Sequence, residues 1–141
     1  FDDDQTIIES AKKSDIVAFS CTSPVFKSAV NLATQIKVIN PGVRTVFGGF
    51  HPSAVPEDCL KEDAVDQVII GEGELAFLKV LSGDINSIIY GEPFVDFNEI
   101  FPDRNLIKNK RTIDLCDKMI KQRITSFQSV RVCPFNCAFL L

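Results

Sequence analysis

A three-layer α/β fold built on a parallel sheet is what this sequence predicts, and three observations predict it. Short apolar runs alternate with helical patterns along the first hundred residues, the arrangement that repeated βαβ units produce. The runs Ile16 to Ser20, Thr45 to Gly48 and Gln67 to Ile70 carry no charge, as expected of strands covered on both faces. Each run also ends in a polar or glycine-rich loop: Ser20 to Ser23, Gly48-Gly49 and Gly71 to Glu74. Parallel sheets bind ligands at the carboxyl ends of their strands, so these loops would face a common crevice.

The elements follow in order. Thr6 can cap a short helix carrying Ile7, Ile8 and Ala11, with Lys12 and Lys13 at its C-terminal end, where the helix dipole favours cations. After the first strand, Ser23 before Pro24 reads as an N-cap followed by proline at the first helical position. Val25, Ala29, Leu32, Ile36 and Ile39 then recur at helical spacing, and Asn40-Pro41-Gly42 stops the helix. Pro52 to Asp63 reads as a loop and a brief helix with Glu57 and Asp58 in its first turn. Beyond the third strand, Leu75, Leu78 and Leu81 continue as a helix that ends at Gly83. Ile88-Ile89-Tyr90 and Phe94-Val95 flank Gly91 and suggest a small hairpin. Ile113, Cys116, Ile120 and Ile124 suggest a further helix, and Ser126 to Val132 a further strand. The expected division is an α/β domain over 1–97, a linker and helix over 98–123, and the start of another domain over 124–141.

Composition narrows the function classes. A chain of 141 residues suffices for one domain with an ordinary core. No apolar run approaches the ~20 residues that a membrane span needs, and Phe1-Asp2-Asp3-Asp4 has the character of no signal peptide. The missing initial Met points to an excerpt from a longer protein. Five cysteines without a disulfide-scaffold spacing point to a reducing cytoplasm. The net charge of −4 is unevenly spread: residues 1–100 hold 7 basic and 16 acidic side chains, and residues 101–141 hold 8 basic and 3 acidic. Those basic residues are dispersed, with only Phe127 among them before Cys133, so no nucleic-acid partner is expected.

Several constellations could carry chemistry. Glycine lets a bulky ligand approach the backbone without a Cβ clash, and the hydroxyls of Ser20, Thr22 and Ser23 can donate hydrogen bonds without adding negative charge. The same residues also suit an ordinary N-cap and turn, and then the domain would be a regulatory or interaction module with no cofactor. His51 is the only histidine and is read as a hydrogen-bonding loop residue before a metal ligand. Gly71-Glu72-Gly73-Glu74-Leu75-Ala76 fits the dinucleotide fingerprint G-x-G-x-x-A after a strand. Glu72 and Glu74, however, would set two carboxylates beside a pyrophosphate, which opposes the favourable helix terminus. Cys133 and Cys137 supply two of the three thiolates of C-x-x-x-C-x-x-C, a spacing suited to three irons of a four-iron cluster; Leu140 occupies the third position.

Ser20-Cys21-Thr22, followed after 25 residues by Gly48-Gly49, resembles the Ser-x-Leu and Gly-Gly signatures of cobalamin-binding domains, with Thr22 in place of leucine. The stretches Ser20 to Pro24, Gly48 to Pro52, Val65 to Glu74 and Cys133 to Phe139 resemble, in order, cobalamin-dependent radical S-adenosylmethionine enzymes. The resemblance implies a flavodoxin-like or Rossmann-like sheet of strand order 2-1-3-4-5, of which this chain would lack the first βαβ part and supply strands three, four and five. It implies that Ser20, Thr22, Ser23, Gly48, Gly49 and His51 contact cobalamin, with Gly71, Glu72, Gly73 and Glu74 near its rim. It further implies that Cys133 and Cys137 belong to a [4Fe-4S] cluster that cleaves S-adenosylmethionine in the parent enzyme, the present stretch being inactive alone. The partner is then a small-molecule cofactor, and the first strand, left at an open sheet edge, invites self-association.

Overall fold

The computed structural model describes residues 4–93. Its elements are α1 (Asp4–Ala11), β1 (Ile16–Ser20), α2 (Ser23–Ile39), β2 (Arg44–Gly48), α3 (Phe50–Ala54), α4 (Pro56–Cys59), β3 (Gln67–Ile70), α5 (Gly73–Leu81) and β4 (Ile88–Tyr90). The four strands form one sheet in the order β1-β2-β3-β4, every pair parallel. Ile16 pairs with Arg44 and Ser20 with Gly48, so the Ser20 and Gly48 loops leave the sheet at the same level.

The sheet is therefore wider by one strand than the three read from the sequence, and the addition is Ile88 to Tyr90. Those residues run parallel to β3, Val68 opposite Ile88 and Ile70 opposite Tyr90. Helix α5 is a crossover between β3 and β4, and a crossover returns the chain parallel to the strand it left. Gly91 N donates to Ile70 O at 2.8 Å and extends the ladder. Phe94-Val95, the boundary at 97/98, the linker, the helix and the strand expected further on lie outside the described residues.

Helix α2 begins one residue earlier than expected. Its N-cap is Thr22, in extended conformation and without a side-chain cap bond, while Ser23 lies in the first turn. The buried stripe is Phe26, Val30, Ala33 and Ile36, and Val25 and Ile39 of the expected stripe are 49% and 41% exposed. Phe26 decides the rotation: its ring meets the edge of Phe47 at 5.9 Å, and Phe47 in turn stacks on Phe19 at 4.7 Å. Aromatic contacts of this kind outweigh the aliphatic alternative. Thr6 lies within α1 instead of capping it.

The core falls on the two faces of the sheet, as strand alternation requires. On the α2 face, Phe47 and Val68 pack with Phe26, Val30, Ala33, Cys21 and Cys59. On the opposite face, Val46, Ile69 and Ile89 pack beneath Ala76 and Val80 of α5, with Ile16 and Phe77 at the margin. At the amino end of the strands, Lys37 Nζ lies 2.7 Å from both Asp66 carboxylate oxygens, and Thr45 donates to the same carboxylate through its backbone N at 2.7 Å and its hydroxyl at 3.0 Å. Partial burial of Asp66 raises its pKa, but the Lys37 and Thr45 hydrogen bonds prevail and hold it below the usual carboxylate value. Arg44 and Gln67 donate to the carbonyls of Val80, Asp84 and Asn86, which fixes the connection from α5 to β4.

Candidate functional site

Alternation along β1 places Ile16, Ala18 and Ser20 on the α5 side of the sheet. Helix α5 covers Val46, Ile69 and Ile89 there but leaves Ala18 and Ser20 exposed. The result is a crevice of about 380 Å³ at the carboxyl ends of the strands, lined by Ala18, Phe19, Ser20, Val46, Gly48, Gly49, Ile69, Gly71, Gly73 and Phe77. Five residues expected from the sequence to lie at the ligand, Ser20, Gly48, Gly49, Gly71 and Gly73, meet in it. The lining carries no charged side chain, and its polar side chain is the hydroxyl of Ser20.

Its glycines do two different jobs. Gly49 has φ +94° and ψ −169°, a region open essentially to glycine alone. A Cβ there would stand 2.9 Å from both Cys21 N and Cys21 O, so packing and conformation each demand glycine. Gly48 lacks a positive φ, and a Cβ on it would meet Ile69 Cβ at an ordinary 3.8 Å. A Cβ on Gly73, the first residue of α5, would meet nothing within 4 Å. Neither position needs glycine for the fold. What glycine leaves at both is room over the crevice.

The surrounding loops are laced together. Cys21 N donates to Gly48 O at 2.8 Å, His51 N to Cys21 O at 3.1 Å and Ser53 N to Gly49 O at 3.1 Å. Ser53 Oγ then accepts from Gly71 N at 3.0 Å, which holds Gly71 at φ +82°. Thr22, Ser23 and His51 stand apart from the crevice lining, at the head of α2. His51 Nδ1 and Ser23 Oγ are 3.0 Å apart in a hydrogen bond, and the imidazole lies against Phe26 with ring centroids 4.4 Å apart. Glu72 is the N-cap of α5 and Glu74 lies in its first turn, where acidic residues favour the helix dipole. Cys21, beside Ser20, is buried, and burial pushes its thiol pKa up.

Phe77, Ala18 and Ser53 are site residues that the sequence reading missed. Ala18 was legible as a small side chain two residues before Ser20, hence on the same face; Phe77 and Ser53 carried no local signal. Among the described residues no group of three or more His, Cys, Asp or Glu could hold a metal. Cys133, Cys137 and Leu140 lie outside the described residues.

An uncharged, glycine-lined crevice at the carboxyl ends of a parallel sheet defines a ligand-binding α/β module of Rossmann-like or flavodoxin-like kind. The chain belongs to the B12 binding domain family, whose model matches residues 2–81. It is 26% identical over 90% of its length to an anaerobic magnesium-protoporphyrin IX monomethyl ester cyclase of Rubrivivax gelatinosus, of which it covers 27%. It is 32% identical over 89% of its length to an uncharacterized methyltransferase of Pyrococcus horikoshii, covering 31% of it. A putative methylthiotransferase of Methanocaldococcus jannaschii is 29% identical over 90% of this chain and 30% of its own. The chain thus spans about three-tenths of the length of the curated relatives it matches. Among solved structures, the N-terminal domain of a hypothetical protein of Thermotoga maritima matches with a TM-score of 0.55 at 30% identity, over 64% of this chain and 73% of that one.

The crevice suits a cobalamin side arm on its own chemistry. Its floor of Ala18, Ser20 and Gly48 admits bulk against backbone, the open space at Gly73 widens it, and Ser20 offers a hydroxyl that makes no other hydrogen bond among the described residues.

Proposed function

We propose that this chain is the cobalamin-binding domain of a cobalamin-dependent radical S-adenosylmethionine enzyme. The observation that carries the reading is the pair of glycines, 48 and 73, that the fold does not need and the crevice does. Family membership supports cobalamin as the ligand, and the cyclase, methyltransferase and methylthiotransferase names of the relatives agree with group transfer or radical chemistry in the whole enzyme. When bound, cobalamin supplies a cobalt centre able to carry a methyl group or take part in a radical step. This chain's part is to bind and orient it. Ser20, Gly48 and Gly49 hold the buried arm of the cofactor, and Gly71 and Gly73 shape the rim, flanked by Glu72 and Glu74. Thr22, Ser23 and His51 meet the cofactor where it emerges at the head of α2, the imidazole held ready by Ser23 and Phe26.

In the whole enzyme Cys133 and Cys137 are ligands to a [4Fe-4S] cluster that binds S-adenosylmethionine, in a cytoplasmic protein. With Leu140 in the third position, these residues alone supply two thiolates. Titration of the full chain with hydroxocobalamin, followed by the corrin absorption bands, tests the central statement. A saturable spectral change at one equivalent is expected; no spectral change and no corrinoid carried through purification would refute it.

A further inference from the structure

We propose that the crevice selects corrinoids by the base of their nucleotide arm, taking an apolar benzimidazole in preference to a purine, with Phe77 as the residue that reads the ring. This rests on the cobalamin reading above and goes beyond it, because binding the cofactor does not require distinguishing its bases.

The lining supplies the reason. Phe77 is half-buried on α5 and brings the crevice its aromatic wall on that helix. Ala18 and Gly48 lie on the opposing sheet with side chains too small to compete for the space. A slot between a flat aromatic wall and a floor of small residues fits a planar ring, which gains from stacking beyond its buried area. The side-chain hydrogen-bonding capacity of the slot is small. Ser20 is its polar side chain, and the nearby carbonyls of Gly48 and Gly49 already accept from Cys21 and Ser53. A dimethylbenzimidazole asks for little more than this. Adenine brings an exocyclic amine and additional ring nitrogens, and polar groups buried without partners weaken binding. Discrimination by apolar contact against an added polar group commonly reaches about ten- to a hundredfold.

Three corrinoids decide the matter, titrated against the full chain by corrin absorbance: cobalamin, its adenine-based counterpart and cobinamide, which has no base. Cobalamin is expected to bind at least about tenfold tighter than the adenine form. Phe77→Leu, which keeps the apolar packing beneath α5 but removes the flat ring, should weaken cobalamin by several-fold and shrink the preference, leaving cobinamide unchanged. Circular dichroism and thermal melting of Phe77→Leu establish that its fold is retained, and Ala18→Ser, which adds a hydroxyl to the floor, should shift the preference toward adenine. Equal affinity for the two bases in the unaltered chain, or an undiminished preference in a folded Phe77→Leu, would overturn the inference while leaving cobalamin binding intact. Failure of all three corrinoids to bind would instead overturn the cobalamin reading itself, and this inference with it.

Discussion

Replacing Gly49 by alanine should damage the fold, while the same change at its neighbour Gly48 should damage only binding. At Gly49 the backbone sits at φ +94° and ψ −169°, and holding a non-glycine residue there costs about 1–3 kcal/mol. The new Cβ would also lie 2.9 Å from Cys21 N and O. These are backbone atoms, which cannot swing aside, so the Ser20 and Gly48 loops must part. Parting them threatens the bonds from Cys21 N to Gly48 O and from His51 N to Cys21 O, each worth about 1 kcal/mol net. Together these give roughly 3–5 kcal/mol, a large share of the ~5–15 kcal/mol that stabilises a typical domain. Gly48→Ala gains a 3.8 Å contact with Ile69 Cβ and loses backbone entropy in the unfolded state, so its stability should change by less than about 1 kcal/mol. Its methyl group, however, takes space from the crevice. Urea unfolding followed by circular dichroism measures the first quantity, and corrin titration the second. Unchanged stability of Gly49→Ala would refute the assignment of Gly49 to the fold; unchanged cobalamin affinity in Gly48→Ala would refute the assignment of Gly48 to the ligand.

Asp66→Asn removes the charge that Lys37 pairs with and should cost about 1–2 kcal/mol at neutral pH. Because the folded pKa of Asp66 is depressed, its contribution is complete above the unfolded carboxylate value and is lost as pH falls through the lower folded one, so the unfolding curves of the two proteins should converge only in that acidic range. Cys21 and Cys59 are buried, and burial raises both thiol pKa values, with the neighbouring Cys21 adding to the effect at Cys59; alkylation at pH 8 mapped by mass spectrometry should label them only on unfolding, and rapid labelling of the native chain would contradict the packing. Anaerobic reconstitution with iron and sulfide should give no stoichiometric four-iron signal unless Leu140→Cys supplies the third thiolate, and a signal in the unaltered chain that cleaves S-adenosylmethionine would show the two-cysteine reading to be wrong. Among the described residues β1 pairs only with β2, so sedimentation at tens of micromolar should show self-association through its other edge; a monomer whose Ile16 to Ser20 amides resist exchange would show that edge to be covered.

Most of the architecture could be read from the sequence because parallel strands are short, apolar and punctuated by glycine. Ile16 to Ser20, Gln67 to Ile70 and the stop at Asn40-Pro41-Gly42 all emerged from local pattern. What local pattern could not supply was partner choice. Ile88 to Tyr90 is too short to declare its direction, and only the crossover through α5 makes it parallel. On α2 the spacing predicts a stripe from Val25, whereas contact with Phe47, twenty-one residues beyond Phe26, turns the helix so that Phe26, Val30, Ala33 and Ile36 are buried. The candidate site divides in the same manner. Its glycines and Ser20 were visible as loop chemistry, whereas Phe77 enters through the packing of α5 and Ser53 through one hydrogen bond to Gly71. Thr22, Ser23 and His51 follow the strand ends in sequence, and helix α2 and the short α3 set them at the head of α2, outside the crevice lining.

Cys21 ties the crevice to the head of α2 through both of its backbone polar groups. Its N–H is bound to the Gly48 carbonyl at the crevice and its carbonyl to the N–H of His51 at the head of α2. The two groups belong to successive rigid peptide planes hinged at the Cys21 Cα, so a displacement at one bond reaches the other across a single residue. A ligand that displaces Gly48 is expected to shift the ring of His51 against Phe26 and change the shielding that the aromatic ring exerts on it. As the chain's sole histidine, His51 gives one resolved pair of imidazole resonances, so the molecule carries its own proton-NMR gauge of events in the crevice, read from the head of α2 without a label.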